Sequence, residues 1–390
     1  MTAREPTRSG APPVRRVHEV DTIRGFALAG ILLANIGFFA DPRLLATVGM
    51  GTTGPVDFAV QTLILSKFYV IFSFLFGYSF TLQTRSAESV GAGVAARTLR
   101  RCLGLLMIGL LHGLLLWPGE ILTLYAALGL VLLALRRVRP RTAVITAIVL
   151  LVVVCACYAL LALLVTWSPT PVTVMAAPSA EEGARVLAAF TGGPLDVLGV
   201  NLSQYLHTAP MVWFAQGPGA LAMFLLGLAA GKSRLFERPG DWAHRAPAIQ
   251  WIGFTVGLPT AVLYSVLIDH SGVAMLAATA LNTLTSPLLA AAYVVTLLRL
   301  ARRFPSVPAA LTPAGRAAAS NYLGQSVLAC LVFSGYGLGL AGRIPPLGVV
   351  AIAVAMYAVL LALSAWWLRE HRYGPVEHLL RRLTEGRRHR

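Results

Sequence analysis

The sequence predicts an all-α integral membrane protein, a bundle of about ten transmembrane helices with both termini cytoplasmic. Three observations predict it. Of the 390 residues, 57% are hydrophobic and only 12% charged, against roughly 25% charged in soluble domains. The apolar residues gather into runs near the roughly 20-residue length that crosses a bilayer as helix. Basic residues crowd into every second connection between those runs, the pattern that orients helices in a membrane.

Taken in order, the chain opens with a basic, Pro-rich segment, 1–23. The apolar run after it has no small-residue cleavage site, so it is expected as a retained span. Spans are expected at 24–40, 58–82, 102–117, 119–135 and 142–165, then at 211–231, 248–268, 273–298, 317–340 and 347–368. The third and fourth flank Trp-Pro-Gly-Glu and form a tight hairpin at one membrane face. Between the fifth and sixth, the external segment 166–210 holds Pro, Gly and acidic residues, then a semi-polar stretch compatible with an interfacial helix; a lid or mouth and a plain Pro-rich connection are both open readings. After Gly374-Pro375 the tail, 369–390, has the pattern of an amphipathic helix with its basic side on anionic lipid. The layout is thus a cytoplasmic tail, a transmembrane domain over 24–368 and a second cytoplasmic tail.

Orientation follows from the basic residues. Of 32 Lys and Arg, 28 fall in the connections of one set, Arg43, Arg185 and Arg343 in the other, and Lys67 inside a span. The net charge of +16 is therefore an inner-leaflet signature of a membrane protein, and a nucleic-acid partner is not expected. Cys102, Cys155, Cys157 and Cys330 all lie in apolar segments, so neither a disulfide framework nor a metal site is expected. No Walker loop, dinucleotide-binding glycine motif or nucleophile elbow is present, which leaves ATP-driven and hydrolase chemistry without support.

Function is sought among polar residues inside the spans, where burial is costly. Arg101 and His112 are eleven positions apart, on one helix face and roughly 16 Å apart along the axis. Such a pair suits a reaction across the membrane: the Arg holds an anionic group from the cytoplasm, and the His acts as general base or transient acyl carrier near the outer mouth. An inside-positive arginine and a packing histidine would give the same spacing. Glu120 can orient His112 or lie exposed in the loop. Arg24 and Asn35 repeat the eleven-residue layout, with Asp21 one turn before Arg24. Lys67 must snorkel or find a partner, and Asn321 with Gln325 can bind a ligand's amides or join helices. Tyr205, His207, Asp269 and His270 read as solvated loop residues.

The segments DTIRGFALAGILLANIGFF (21–39), KFYVIFSFLFGYSF (67–80), RRCLGLLMIGLLHGLLLWPGEILTLYAALGL (100–130), PAGRAAASNYLGQSVL (313–328) and RYGPVEHLLRRLT (372–384) identify the chain as resembling the YeiB family of bacterial membrane proteins, over nearly its whole length. Glu120 stands where that family usually has Asp, and His378 where it has an aromatic. The family is in turn similar to transmembrane acyltransferases of the acyltransferase-3 and heparan-glucosaminide acetyltransferase types. Those share about ten helices and move an acyl group from cytoplasmic coenzyme A to an acceptor across the membrane. An Arg, ten residues, then His is a signature of the acyltransferase-3 branch, met here by Arg101 and His112.

The resemblance implies an acyl-CoA donor, acetyl-CoA first among them, and an external acceptor such as a glycan, glycolipid or secondary metabolite. Arg24, Arg101 and Arg316 would hold the donor's phosphates, Asn321 and Gln325 its amides, and His112 would carry the chemistry, supported by Glu120, Asp21, Asn35 and Lys67. The bilayer is the standing partner, and a second copy of the chain is a further one to test. A transporter of an amphipathic or anionic metabolite, and a structural or regulatory membrane partner with no ligand, are the competing expectations.

Overall fold

The computed structural model describes residues 16–45, 54–167, 179–268, 270 and 272–385. Fifteen α-helices follow one another: α1 (His18–Ala40), α2 (Pro55–Leu63), α3 (Lys67–Glu88), α4 (Val94–Leu115), α5 (Leu122–Ala134), α6 (Pro140–Thr166), α7 (Ala180–Phe190), α8 (Pro194–Lys232), α9 (Ala246–Ile252), α10 (Leu258–Leu267), α11 (Val273–Arg303), α12 (Ser306–Arg316), α13 (Ala318–Phe333), α14 (Pro346–Glu370) and α15 (Pro375–Glu385). No strand occurs among the described residues. Asp269, one of the expected loop residues, lies outside them.

The protein is a multi-pass membrane protein. Among the described residues, eight helices or helix pairs are long and apolar enough to cross a bilayer. The other two expected spans are shorter: α5 has 13 residues and α13 has 16. The span expected at 317–340 therefore ends early, because the chain turns at Ser334 and runs through Gly-rich backbone with positive φ at Gly339 and Gly342. The span expected at 58–82 is α2 and α3, with a break at which Ser66 takes φ 70°. A one-turn π segment, Gly253–Gly257, joins α9 to α10 in the same way.

Lipid-facing surface is written on the outer helices. α6 buries only Ala143, Ala147, Leu151 and Ala162, and exposes Ile145, Ile148, Val149, Val152 and Leu160. Exposed apolar surface of that extent belongs in hydrocarbon. The centre of the bundle is the crossing of α3 on α8, and small residues set its closeness. A Cβ on Gly77 would lie 2.1 Å from the Phe224 carbonyl oxygen, and one on Gly227 would lie 2.0 Å from that of Phe74. At one end of the bundle, α1 crosses α12 as tightly, with the Gly315 Cα set against the Asp21 carbonyl.

Within the segment 166–210, residues 180–190 and 194–210 are helical, while 168–178 lie outside the described residues. Ser179 caps α7 by accepting from the Glu182 amide at 3.1 Å, and Asp196 accepts from the Gly193 amide at 2.9 Å to start α8 with Pro194 in its first turn. These are ordinary N-terminal signals. From there α8 runs unbroken for 39 residues through Pro210 and Pro218. Phe190 and Val197 join Phe39, Trp117 and Phe333 in one apolar cluster, so the α7–α8 corner caps that end of the bundle.

Candidate functional site

Two polar centres lie along α4, which is continuous from Arg101 to His112, so about 16 Å of helix separates them. The first is a basic cluster. Asp21 accepts from Arg24 Nη1 at 2.7 Å and from Arg16 Nε at 2.6 Å, and Arg24 also donates to Ser79. Arg101 stands within electrostatic reach of Arg24 and of Glu377, and Arg316 within reach of Arg16 and Asp21. Asp21 thus draws Arg16 and Arg24 together with Arg316 within reach, and Arg101 of α4 stands within reach of Arg24.

These cations are not all matched by acids. Among the described residues Arg101 makes no hydrogen bond or ion pair, and it lines a narrow crevice with Phe76, Phe80, Gln83 and Cys102. Arg316 donates through Nη2 to the Arg372 carbonyl at 3.4 Å, while its buried Nε has no partner. Burial first, and the charge of Arg16 second, lower the basicity of Arg316, with Asp21 pulling the other way. A cluster of arginines with donors to spare is a site for an anion.

The second centre surrounds His112, which is 1% exposed. Its Nε2 is hydrogen-bonded to Ser326 Oγ of α13 at 2.8 Å, and its ring meets Tyr322 edge-on with centroids 5.0 Å apart. Among the described residues its Nδ1 is buried without a partner, as are Trp117 Nε1 and Asn201 Oδ1. Asn201 donates to the Leu115 carbonyl at 3.2 Å. These polar atoms come from the end of α4, the α4–α5 turn and α8.

Glu120 is buried at 3% exposure, not in an open loop. Its carboxylate accepts from the Leu122 amide at 2.5 Å, the Thr123 amide at 3.1 Å, the Thr123 hydroxyl and, at 3.5 Å, the Tyr205 hydroxyl. It thereby caps α5, where a negative charge faces the positive helix end. It lies along the Gly109–Gly113 flank of α4, where a Cβ on Gly113 would meet the Tyr205 ring at 2.4 Å. The hydrogen-bonded neighbour of His112 is Ser326, not Glu120. Tyr205, expected to be solvated, is 8% exposed and forms a wall of this centre, whereas His207 is exposed.

The remaining expected residues are placed elsewhere. Asn321 donates to the Ala314 and Ala317 carbonyls and to Ser364 Oγ, which locks the α12–α13 junction to α14. Gln325 donates to the Leu28 carbonyl at 2.9 Å and so ties α13 to α1. Both side chains join helices. Asn35 is half-buried and makes no hydrogen bond among the described residues. Lys67 is fully buried at the start of α3 and its Nζ has no partner there.

Sequence reasoning missed Ser326, Asn201 and Glu377, and set Tyr205 aside as a solvated loop residue. Ser326 falls one residue after Gln325 and was open to the same search for polar groups in apolar spans; the others come from segments read as loop or tail. Glu377 accepts from the Ala319 amide at 2.6 Å and from Ser320 Oγ at 2.6 Å, so α15 caps α13 from outside. Among the described residues no group of His, Cys, Asp and Glu could hold a metal ion.

Comparison with known proteins adds three relatives and one family. The model of a family described as a protein of unknown function, DUF418, matches residues 230–387. YxaH of Bacillus subtilis, an uncharacterized protein, is 30% identical over 98% of this chain and 97% of its own. A 39.9 kDa protein of Bacillus acidopullulyticus, encoded in the amylase 3' region, is 29% identical over 95% of this chain and 94% of its own. YeiB of Escherichia coli is 28% identical over 94% of this chain and 95% of its own.

Proposed function

The chain belongs to the YeiB family of membrane proteins, which carries the DUF418 segment, and from that premise we propose that it is an acyltransferase of the bacterial inner membrane, moving an acyl group from cytoplasmic acyl-CoA to an external acceptor. The observation that carries this reading is the pairing on α4 of an arginine cluster lacking a full set of acids with a buried histidine about three turns away, one ring nitrogen bare. Arg24, Arg101 and Arg316 would take the donor phosphates, leaving the acyl-pantetheine arm to run along α4 towards His112. There His112 accepts the proton of the acceptor's hydroxyl or amine as that oxygen or nitrogen bonds to the thioester carbon. The carbon–sulfur bond breaks, and the coenzyme A thiolate takes the proton from the imidazolium. Glu120 fixes Tyr205 and the start of α5 as the wall of the reaction chamber. Asn321 and Gln325, engaged with backbone and with Ser364, are given a positioning role in place of contact with the donor amides.

Binding of acetyl-CoA and longer acyl-CoAs to the full chain in nanodiscs tests the proposal. Binding is expected to fall at least about tenfold in Arg101→Ala, the loss of one charge-assisted contact, and to survive in His112→Ala. Absence of binding to wild-type protein that melts cooperatively would sink the donor site. A transport reading gains from a different observation, the fully buried Lys67 beside the α2–α3 break, since broken helices with unpaired charge occur where transporters bind substrates. It predicts flux of an unmodified anion that is lost in Lys67→Met and retained in His112→Gln.

A further inference from the structure

The tail helix is not a flat carpet on the membrane. α15 buries Leu380 against the bundle, packing on α4 at Gly104, and is pinned through Glu377 to α13. Between the last turn of α14 and the exposed side of α15 this leaves a groove of about 720 Å³, within the range of about 300–1,000 Å³ that small-molecule sites occupy. Arg372, Arg381, Arg382, His371 and His378 line it, against Glu370 and Glu385. Glu385 is taken by Arg381 at 2.9 Å. The Arg372 and Arg382 guanidinium groups make no hydrogen bond or ion pair among the described residues.

Two of these cations, Arg372 and Arg381, are held rather than loose. Arg372 and Arg381 both lie over the Tyr373 ring, at 5.6 and 4.6 Å from its centroid, and the Trp367 indole donates to the Tyr373 carbonyl at 3.0 Å. Cation–π contacts of this kind keep a guanidinium in place while leaving its edge free to bind an oxyanion. The depth of the groove in the membrane is also marked. Trp366 is 61% exposed at the end of α14, and tryptophans at a helix end sit at headgroup level. Leu379 and Leu383, half-exposed one turn apart on α15, give the helix an apolar edge beside Arg382.

We propose that the groove where α14 turns into α15 seats the phosphate of one anionic phospholipid headgroup, with Arg372 and Arg382 as its ligands and Leu379 and Leu383 against the acyl chains. This proposal is independent of the acyltransferase reading; Arg316 of the α1, α4 and α12 cluster touches the groove only through the Arg372 carbonyl.

The test titrates the full-length protein in zwitterionic detergent with fluorescent phosphatidylglycerol. Saturable binding of one lipid per chain is expected. Each lost guanidinium should weaken it about fivefold, so Arg372→Gln with Arg382→Gln should weaken it roughly thirtyfold, while the melting temperature stays that of wild type. Arg343→Gln, at the opposite end of the bundle, should change nothing. Equal affinity in the double variant, equal affinity for phosphatidylcholine, or binding that never saturates would each overturn the proposal. Displacement by inorganic phosphate at the lipid's own concentration would overturn the lipid as source and assign the groove to a soluble phosphate.

Discussion

His112 enters the membrane interior with one ring nitrogen bonded and the other bare. Its bond to Ser326 decides which nitrogen is free, because the two nitrogens of a neutral imidazole divide the donor and acceptor roles between them. If His112 is the base, Ser326→Ala should lower the acyl-transfer rate about ten- to hundredfold, by releasing the ring from its orientation, while acyl-CoA binding stays within a factor of two or so of wild type. Steady-state turnover set beside equilibrium binding checks this, and equal turnover in the two proteins would remove Ser326 from the mechanism. The reason only part of this centre was legible in the sequence is specific. His112, Glu120 and Arg101 stand out because a charge in an apolar run is expensive. Tyr205 does not, since a tyrosine in a semi-polar stretch costs nothing until the chain around it proves to be helix.

The α12–α13 junction shows at the level of whole helices how a short apolar helix is kept in place. Sixteen residues are few for a span, and the first amides of α13 have no partners within the helix. Glu377 of α15 accepts from two of them and from the Ser320 hydroxyl, which in turn accepts from the Val376 amide at 3.0 Å. Glu377→Ala should therefore cost about 1–2 kcal/mol, the size of a lost helix cap, and Glu377→Gln less, read as the melting temperature in detergent. An unchanged melting temperature in Glu377→Ala would mean that α15 is a passive tail. The element boundaries that sequence reading placed well, such as the α4–α5 turn at Trp117-Pro118-Gly119, are those where apolar runs end abruptly at Pro and Gly. It misplaced the start of α8 because Asp196, Asn201, Ser203 and Gln204 break the apolar run there, although the same turns bury Val197, Val200 and Asn201 on the bundle and leave Leu195, Leu198 and Leu202 outward.

For the molecule as a whole, the arginine-rich and arginine-poor connections fall at opposite ends of one bundle, with Arg24, Arg101 and Arg316 at the rich end. The positive-inside rule then predicts that Ser306 faces the cytoplasm and Ser179 the outside. Single cysteines at these two exposed positions, in a chain with the four native cysteines replaced, should be told apart by a membrane-impermeant maleimide on intact cells: label at 179, none at 306. The reverse pattern would turn the donor and acceptor sides around. The crossing of α3 on α8 carries a last consequence, for biogenesis. Gly77 meets the Phe224 backbone across a long stretch of sequence, and synthesis at roughly 5–20 residues per second puts on the order of ten seconds between the emergence of the two helices. During that interval α3 is in the membrane packed on α1, with Gly77 not yet closed against α8. Nascent chains halted before α8 should be the ones that insertion chaperones hold and membrane proteases remove.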